Sequence, residues 1–210
     1  RRHTIWNCDW SSDVCSSDLK IVAQSNNFYT ELGKGVAYAS EIYGGKEFAL
    51  SFGKNEMAGY HTGVGAYIGF TIGARHSHLD NAGYSLDQNE LINQTLTPEQ
   101  VVDKLINEES LRQVLSSIAI CFFARGIYTP EMVSKALSTL NIDLSPEQLI
   151  KTGRQILQDK YRFKIREGFD FNKLNIPKRI FETKAPAGFI NEDFYKKAIE
   201  YARKVLIDTV

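Results

Sequence analysis

Apolar residues recur at helical spacing through most of the chain. Between residues 28 and 43 they fall at Phe28, Leu32, Val36, Ala39 and Tyr43, and Gly44-Gly45 supplies a stop, so a helix is predicted there. Residues 46–52 alternate instead, with Phe48, Leu50 and Phe52 on one side, which predicts a short strand. A helix striped with glycine follows, and then a turn-rich passage at Asp80-Asn81-Ala82-Gly83. Beyond it the pattern is plainly helical and opens repeatedly on one signal. Thr97-Pro98-Glu99-Gln100, Thr129-Pro130-Glu131 and Ser145-Pro146-Glu147-Gln148 each set a hydroxyl cap ahead of a first-turn proline. The first and last add a glutamine that completes a capping box, and each cap stabilises its helix by about 1 kcal/mol. Behind these starts run Val101/Val102/Leu105/Ile106, Met132/Val133/Ala136/Leu137/Leu140 and Leu149/Ile150/Ile156/Leu157. A further apolar stretch, Leu111/Val114/Leu115/Ile118/Phe122, ends near Gly126, and residues 194–206 read as a last amphipathic helix. The expected fold is mainly α, with at most a short β element near 46–52.

Residues 55–88 concentrate the unusual chemistry. They hold His61, His76 and His78, and glycines four residues apart at Gly65, Gly69 and Gly73. That spacing leaves a bare stripe on a helix, where another backbone or a flat ligand can come close. The apolar run is shorter than the about 20 residues that span a bilayer, so the stripe reads as a packing surface.

The beginning of the chain reads differently. Residues 9–19, DWSSDVCSSDL, are the translation of a widely used short-read sequencing adapter, so residues 1–19 are expected to be a non-native tail. Setting them aside removes Cys8 and Cys15, leaving Cys121 alone, and removes both tryptophans, Trp6 and Trp10. It also removes Arg1, Arg2, Asp9, Asp13 and Asp18 from 25 basic and 25 acidic residues, so the net charge stays near zero. Such a balance offers no electrostatic footprint for nucleic acid or an anionic membrane. One remaining cysteine gives no support for an oxidising compartment, and a cytoplasmic location is expected.

Two groups of residues carry candidate chemistry. His76-Ser77-His78-Leu79-Asp80 spells His-x-His-x-Asp, similar to the metal signature of dinuclear metallo-β-lactamase-type hydrolases. That signature continues with a further histidine, where Asn81 stands, and it follows a strand rather than a glycine-striped helix. Hydrogen-bonded turn histidines are the plainer alternative. Cys121, set among Ile118, Ala119, Ile120 and Phe122, has the surroundings of an inert buried cysteine.

A family resemblance gathers these features in order. Gly35-Val36, Ile42-Tyr43-Gly44-Gly45, Glu56-Met57-Ala58-Gly59-Tyr60, Arg75 with His78-Leu79, Cys121, Arg166-Glu167-Gly168 and Pro177-Lys178-Arg179 resemble successive landmarks of the tungsten-dependent aldehyde ferredoxin oxidoreductases. The resemblance implies the multi-helical C-terminal domains of such an enzyme, with residues 20–90 in its second domain and 91–210 in its third. It implies oxidation of an aldehyde to a carboxylic acid, with a tungsten (or molybdenum) bis-pterin and a [4Fe–4S] cluster, and ferredoxin as electron acceptor. A second copy of the chain is a further candidate partner. His78 matches the family's active-site histidine, with His76 as the alternative, and Glu56 and Tyr60 are candidates for the pocket. In Ser116-Ser117-Ile118-Ala119-Ile120-Cys121, Cys121 matches a cluster ligand, while Ser116 and Ile120 match cofactor-contacting positions. Ser116 replaces the family's aspartate, and Ala119 its glycine. Lys164, Arg166 and Arg179 read as solvated or ion-pairing residues.

A four-iron cluster takes four ligands, usually cysteines, and this sequence offers one outside the tail. The complete reading frame is therefore expected to continue upstream with a three-cysteine motif and a pterin-binding domain, and the fragment alone to be inactive. The family's Arg-Gly-Trp ending is not present. A non-catalytic helical scaffold is the competing class.

Overall fold

The computed structural model describes residues 28–174 and 176–208, so the tail expected at 1–19 lies outside the described residues. The chain parts after Glu56 into two compact units.

In the first unit the single helix expected across 28–43 is two helices. α1 (Phe28–Leu32) and α2 (Val36–Tyr43) are separated at Gly35, whose φ of 98° takes the chain out of helical geometry. Glu56 Oε1 accepts a hydrogen bond from Val36 N at 3.3 Å, which satisfies one free amide at the start of α2. The strand expected across 46–52 is mostly turn. Only β1 (Ser51–Phe52) pairs, antiparallel to β2 (Asn55–Glu56), around Gly53 and Lys54 at φ 52° and 69°. Two successive positive φ values are what a tight two-residue hairpin of matching twist requires.

The second unit begins with the glycine-striped α3 (Val64–Ile72). The turn-rich passage is two one-turn helices, α4 (His78–Asn81) and α5 (Gly83–Leu86), joined by Ala82 at φ 49° and followed by a π-helical turn, Asp87–Leu91. Next come α6 (Pro98–Ser117), α7 (Pro130–Ser138), α8 (Pro146–Arg166), the short α9 (Arg179–Glu182) and α10 (Glu192–Arg203). The capping boxes of Thr97 with Gln100 and Ser145 with Gln148 form as expected, and Thr129 caps α7 through Met132 N. The two apolar stretches between 101 and 122 belong largely to one helix, α6, which stops at Ser117, short of the expected end near Gly126.

α6 is the axis of the unit, packing against α8, α10 and α4. Val101, Val102, Leu105, Ile106 and Leu115 of α6 are buried with Leu149, Leu157 and Tyr161 of α8 and Ala198 and Ala202 of α10. The α6–α8 crossing is close because Gly153 rests on the Ser110 carbonyl, where a Cβ has no room. Three helices end alike. Ala119 (φ 58°), Asn141 (φ 57°) and Gly168 (φ 89°) each turn left-handed, and the next amide bonds back to Leu115 O, Leu137 O and Lys164 O respectively.

Candidate active site

The glycine stripe is filled by the chain's own polar side chains. A Cβ at Gly73 would strike Asp80, one at Gly69 would strike Asn81 Oδ1, and one at Gly65 would strike Asp87. Asp87 is buried, and its carboxylate accepts hydrogen bonds from Gly65 N at 2.7 Å, Ala66 N at 2.8 Å and Thr62 Oγ1 at 2.8 Å. It thereby caps α3 from a distance in sequence, which Gly63 at the N-cap cannot do. Burial pushes the Asp87 carboxyl up, and these three bonds hold it down.

The same packing decides what the histidines can do. Asp80 is buried and accepts from Arg75 N at 2.9 Å, Arg75 Nε at 2.8 Å and Ser77 N at 3.1 Å, the last closing a capping box with Ser77. It is committed to shaping the turn, and among the described residues no three His, Cys, Asp or Glu side chains converge as metal ligands do. His76 is buried, with both ring nitrogens engaged by Phe70 O at 3.0 Å and Lys164 Nζ at 3.1 Å. Burial first, then Lys164, lowers its pKa. His61 is likewise engaged: Tyr67 Oη donates to Nδ1 at 2.5 Å, and Nε2 donates to Thr183 O at 2.9 Å. Burial pushes the Tyr67 hydroxyl up to about 12, which keeps it a donor.

His78 differs from both. It opens α4, half-buried, among the rings of Tyr60 (5.3 Å between centroids) and Tyr84 (6.4 Å), which stack on each other at 4.6 Å. Its imidazole has no hydrogen-bond partner among the described residues, so both nitrogens remain open to a ligand. Tyr60, expected near the pocket, is beside His78. Glu56, expected there too, belongs to the first unit and caps α2.

Cys121 lies just past the end of α6 and is exposed, unlike the inert buried cysteine its neighbours suggested. The segment alternates: Ile120 and Phe122 pack onto the cluster of Val114, Leu115, Val133 and Leu149, which leaves Cys121 and the 91% exposed Phe123 outside. Ser116 is exposed, whereas the Ile120 side chain is turned inward, so Ile120 offers a ligand mainly its backbone. Ala119 has the left-handed conformation that suits the glycine it replaces in the family pattern.

Arg112, which sequence reading passed over, ties these two segments together. Its Nη1 donates to Leu79 O at 2.6 Å, its Nε donates to Glu108 Oε1 at 2.8 Å, and its guanidinium lies 5.5 Å from the Phe122 ring centroid. Nη2 is also 2.8 Å from Glu108 Oε1 but is misaligned, and makes no hydrogen bond. His78 and Cys121 are thus the immediate chain neighbours of residues that Arg112 contacts. Arg112 also lines a cleft of about 670 Å³ that includes Asn81, Lys104, Glu108 and Arg125.

Beneath this surface is a buried polar cluster that was also missed. Glu109 is 1% exposed; its Oε1 accepts from Ala74 N at 2.9 Å and its Oε2 from Asn81 Nδ2 at 3.3 Å. Burial, with the nearby Asp80 charge second, pushes its carboxyl up to about 8. Its position four residues after Leu105 and three after Ile106, on the apolar stripe of α6, was the available signal. Tyr161 is fully buried and donates to Ile72 O. Lys164 is half-buried rather than solvated, while Arg166 is exposed and pairs with Glu167 at 3.1 Å, as expected.

One exposed cysteine fits a single ligand of an iron–sulfur cluster, and an open imidazole fits a proton-transfer group. Nothing among the described residues encloses a metal ion. The chain is thus a helical domain that can lend single groups to a site without surrounding it. It belongs to the aldehyde ferredoxin oxidoreductase family: the profile described as "Aldehyde ferredoxin oxidoreductase, domains 2 & 3" matches residues 13–205, beginning inside the adapter-like tail. The tungsten-containing aldehyde ferredoxin oxidoreductase of Thermococcus kodakarensis is 23% identical over 192 residues, covering 85% of this chain. The chain spans 31% of the length of that relative. No solved structure matches it. Among the described residues no helix is long and apolar enough to cross a membrane.

Proposed function

We propose that this chain is the helical portion of an enzyme that oxidises aldehydes to carboxylic acids and passes the electrons to ferredoxin, and that it is inactive without the rest of that enzyme. In this reading residues 20–90 belong to the second domain and 91–210 to the third, and residues 1–19 are foreign. The observation that carries the reading is the bridge made by Arg112 between the segments of His78 and Cys121, within a chain that matches the family along most of its length. An open imidazole and an exposed cysteine are the two groups such a site needs from this part of the protein.

When bound, a tungsten bis-pterin and a [4Fe–4S] cluster supply the oxidation and the exit path for electrons. Converting an aldehyde and water to an acid releases two protons with the two electrons. His78 can take up one of those protons at an open ring nitrogen, which accepts through its lone pair. The stacked Tyr60 and Tyr84 rings fix one side of the imidazole and offer an apolar face to the substrate. Cys121 supplies one thiolate, and Ser116 with the Ile120 backbone lies on the same exposed helix end. His76 is not assigned this step, because Nδ1 is held by Phe70 O and Nε2 faces Lys164 inside the protein.

The test is substitution in the complete enzyme, with aldehyde-dependent reduction of ferredoxin as the assay. His78→Asn should lower kcat by about 10²–10⁴-fold, the usual worth of a positioned proton-transfer group. Full activity in His78→Asn would remove the assignment.

A further inference from the structure

His76 and Lys164 form a pair that the proposed oxidation leaves unused. His76 Nδ1 lies 3.0 Å from the carbonyl oxygen of Phe70, which can only accept, so Nδ1 carries the hydrogen and Nε2 keeps its lone pair. Lys164 Nζ lies 3.1 Å from that lone pair. The ammonium also sits 3.9 Å from the centroid of the Phe169 ring and 4.8 Å from that of Tyr161. Among the described residues no carboxylate forms an ion pair with it. Burial lowers Lys164 from the usual lysine range to about 8, although Glu109 and Asp80 pull the other way. A half-buried amine beside a basic nitrogen and two aromatic faces is the arrangement used for amine nucleophiles.

We propose that Lys164 is a carbonyl-reactive lysine that forms an imine with small aldehydes, with His76 Nε2 as its proton acceptor. The neutral amine attacks the carbonyl carbon, a C–N bond forms, and the carbonyl electron pair moves to oxygen, which takes a proton from water. His76 Nε2 accepts one of the two protons on Nζ and returns it to the hydroxyl, which leaves as water while the nitrogen lone pair closes the C=N bond. The second Nζ proton passes to the hydroxide left by the first step, which gives the neutral imine. The balance is amine plus aldehyde to imine plus water, with no change of oxidation state and no cofactor. Aldehydes are the class indicated because Nζ lies against the faces of the Phe169 and Tyr161 rings. An unhindered carbonyl with one apolar substituent fits there better than an anion. This assignment rests on the side-chain cluster alone and holds whether or not the chain takes part in aldehyde oxidation.

The test uses the 210-residue chain, propanal and cyanoborohydride at pH 7.5, which convert any imine to a stable secondary amine located by peptide mass spectrometry. At that pH an amine with a pKa near 8 is neutral about 200 times more often than an ordinary lysine, and its lower basicity takes back about tenfold. Lys164 should therefore be labelled on the order of tenfold faster than Lys196 and Lys46, whose side chains are 66% and 62% exposed. His76→Gln should slow labelling at Lys164 about fivefold or more and leave Lys196 unchanged, as proton-transfer groups contribute at least that much. Equal labelling of Lys164 and Lys196 in the unmodified chain would overturn the proposal without any variant. An unchanged Lys164 rate in a folded His76→Gln protein would remove the histidine's role.

Discussion

Replacing Glu109 with glutamine should change how the stability of the chain depends on pH. Glu109 is buried on α6, and its carboxyl is pushed from 4.5 up to about 8, chiefly because ionising it there means charging a site without water. The folded protein thus keeps this proton up to about pH 8, while the unfolded chain loses it near 4.5. The stabilisation is fully present below the unfolded value and is lost as pH rises through the folded one. The full shift corresponds to at most about 5 kcal/mol. The donors Ala74 N and Asn81 Nδ2 favour the carboxylate and local relaxation helps it, so a loss of about 2–3 kcal/mol between pH 5 and pH 9 is expected. Glu109→Gln removes the titration, but its amide cannot accept from both donors, which costs about 1 kcal/mol at pH 5. The variant should be the less stable protein at pH 5 and the more stable one at pH 9. Urea unfolding followed by circular dichroism at several pH values measures the difference. His76, with its depressed pKa, works in the opposite sense as pH falls below 6.5, and Lys164 does so above pH 8. Both are present in the two proteins and cancel to first order. A stability difference that stays constant from pH 5 to pH 9 would refute the reasoning.

Two further substitutions probe the frame. Gly153→Ala places a methyl against the Ser110 carbonyl and forces α6 and α8 apart, so urea unfolding should show a loss of about 2–3 kcal/mol; a loss below about 0.5 kcal/mol would mean the crossing is loose. Ala119→Gly relieves the left-handed conformation at the end of α6 and should add about 0.5–1 kcal/mol, read as a rise in Tm of roughly 1–4 °C, whereas a fall in Tm would show that the turn is not strained.

The parts of this fold that sequence made visible are those written locally. Thr97, Thr129 and Ser145 each cap a helix within three residues of themselves, so hydroxyl, proline and glutamine spacing was sufficient. The short β element expected near 46–52 forms only at Ser51 and Phe52, because alternation alone competes poorly with Gly44 and Gly45, both at positive φ. The glycine stripe was legible as a close-packing surface, but its occupants were not. Asp80 and Asn81 meet it from α4, and Asp87 reaches it only after Ala82 takes a left-handed turn that no residue preference announces. His-x-His-x-Asp shows how weak spacing is without backbone geometry. One histidine is buried against Lys164, one stands free, and the aspartate closes a capping box. Exposure of Cys121 depends on alternate residues packing inward after α6 ends, and helical periodicity cannot report where that happens.

The central claim is that this chain lends Cys121 to a redox site shared with the rest of an aldehyde ferredoxin oxidoreductase. The most direct test is the iron content and reduced-state paramagnetic spectrum of the complete enzyme carrying Cys121→Ala, with Ser117→Ala as the control. A ligand role predicts an iron-depleted or converted cluster and blocked electron transfer to ferredoxin in Cys121→Ala alone, because one of four thiolates is gone. A surface cysteine without that role would lose one exposed sulfur, at a cost within about 0.5 kcal/mol. An intact four-iron cluster in Cys121→Ala would contradict the account.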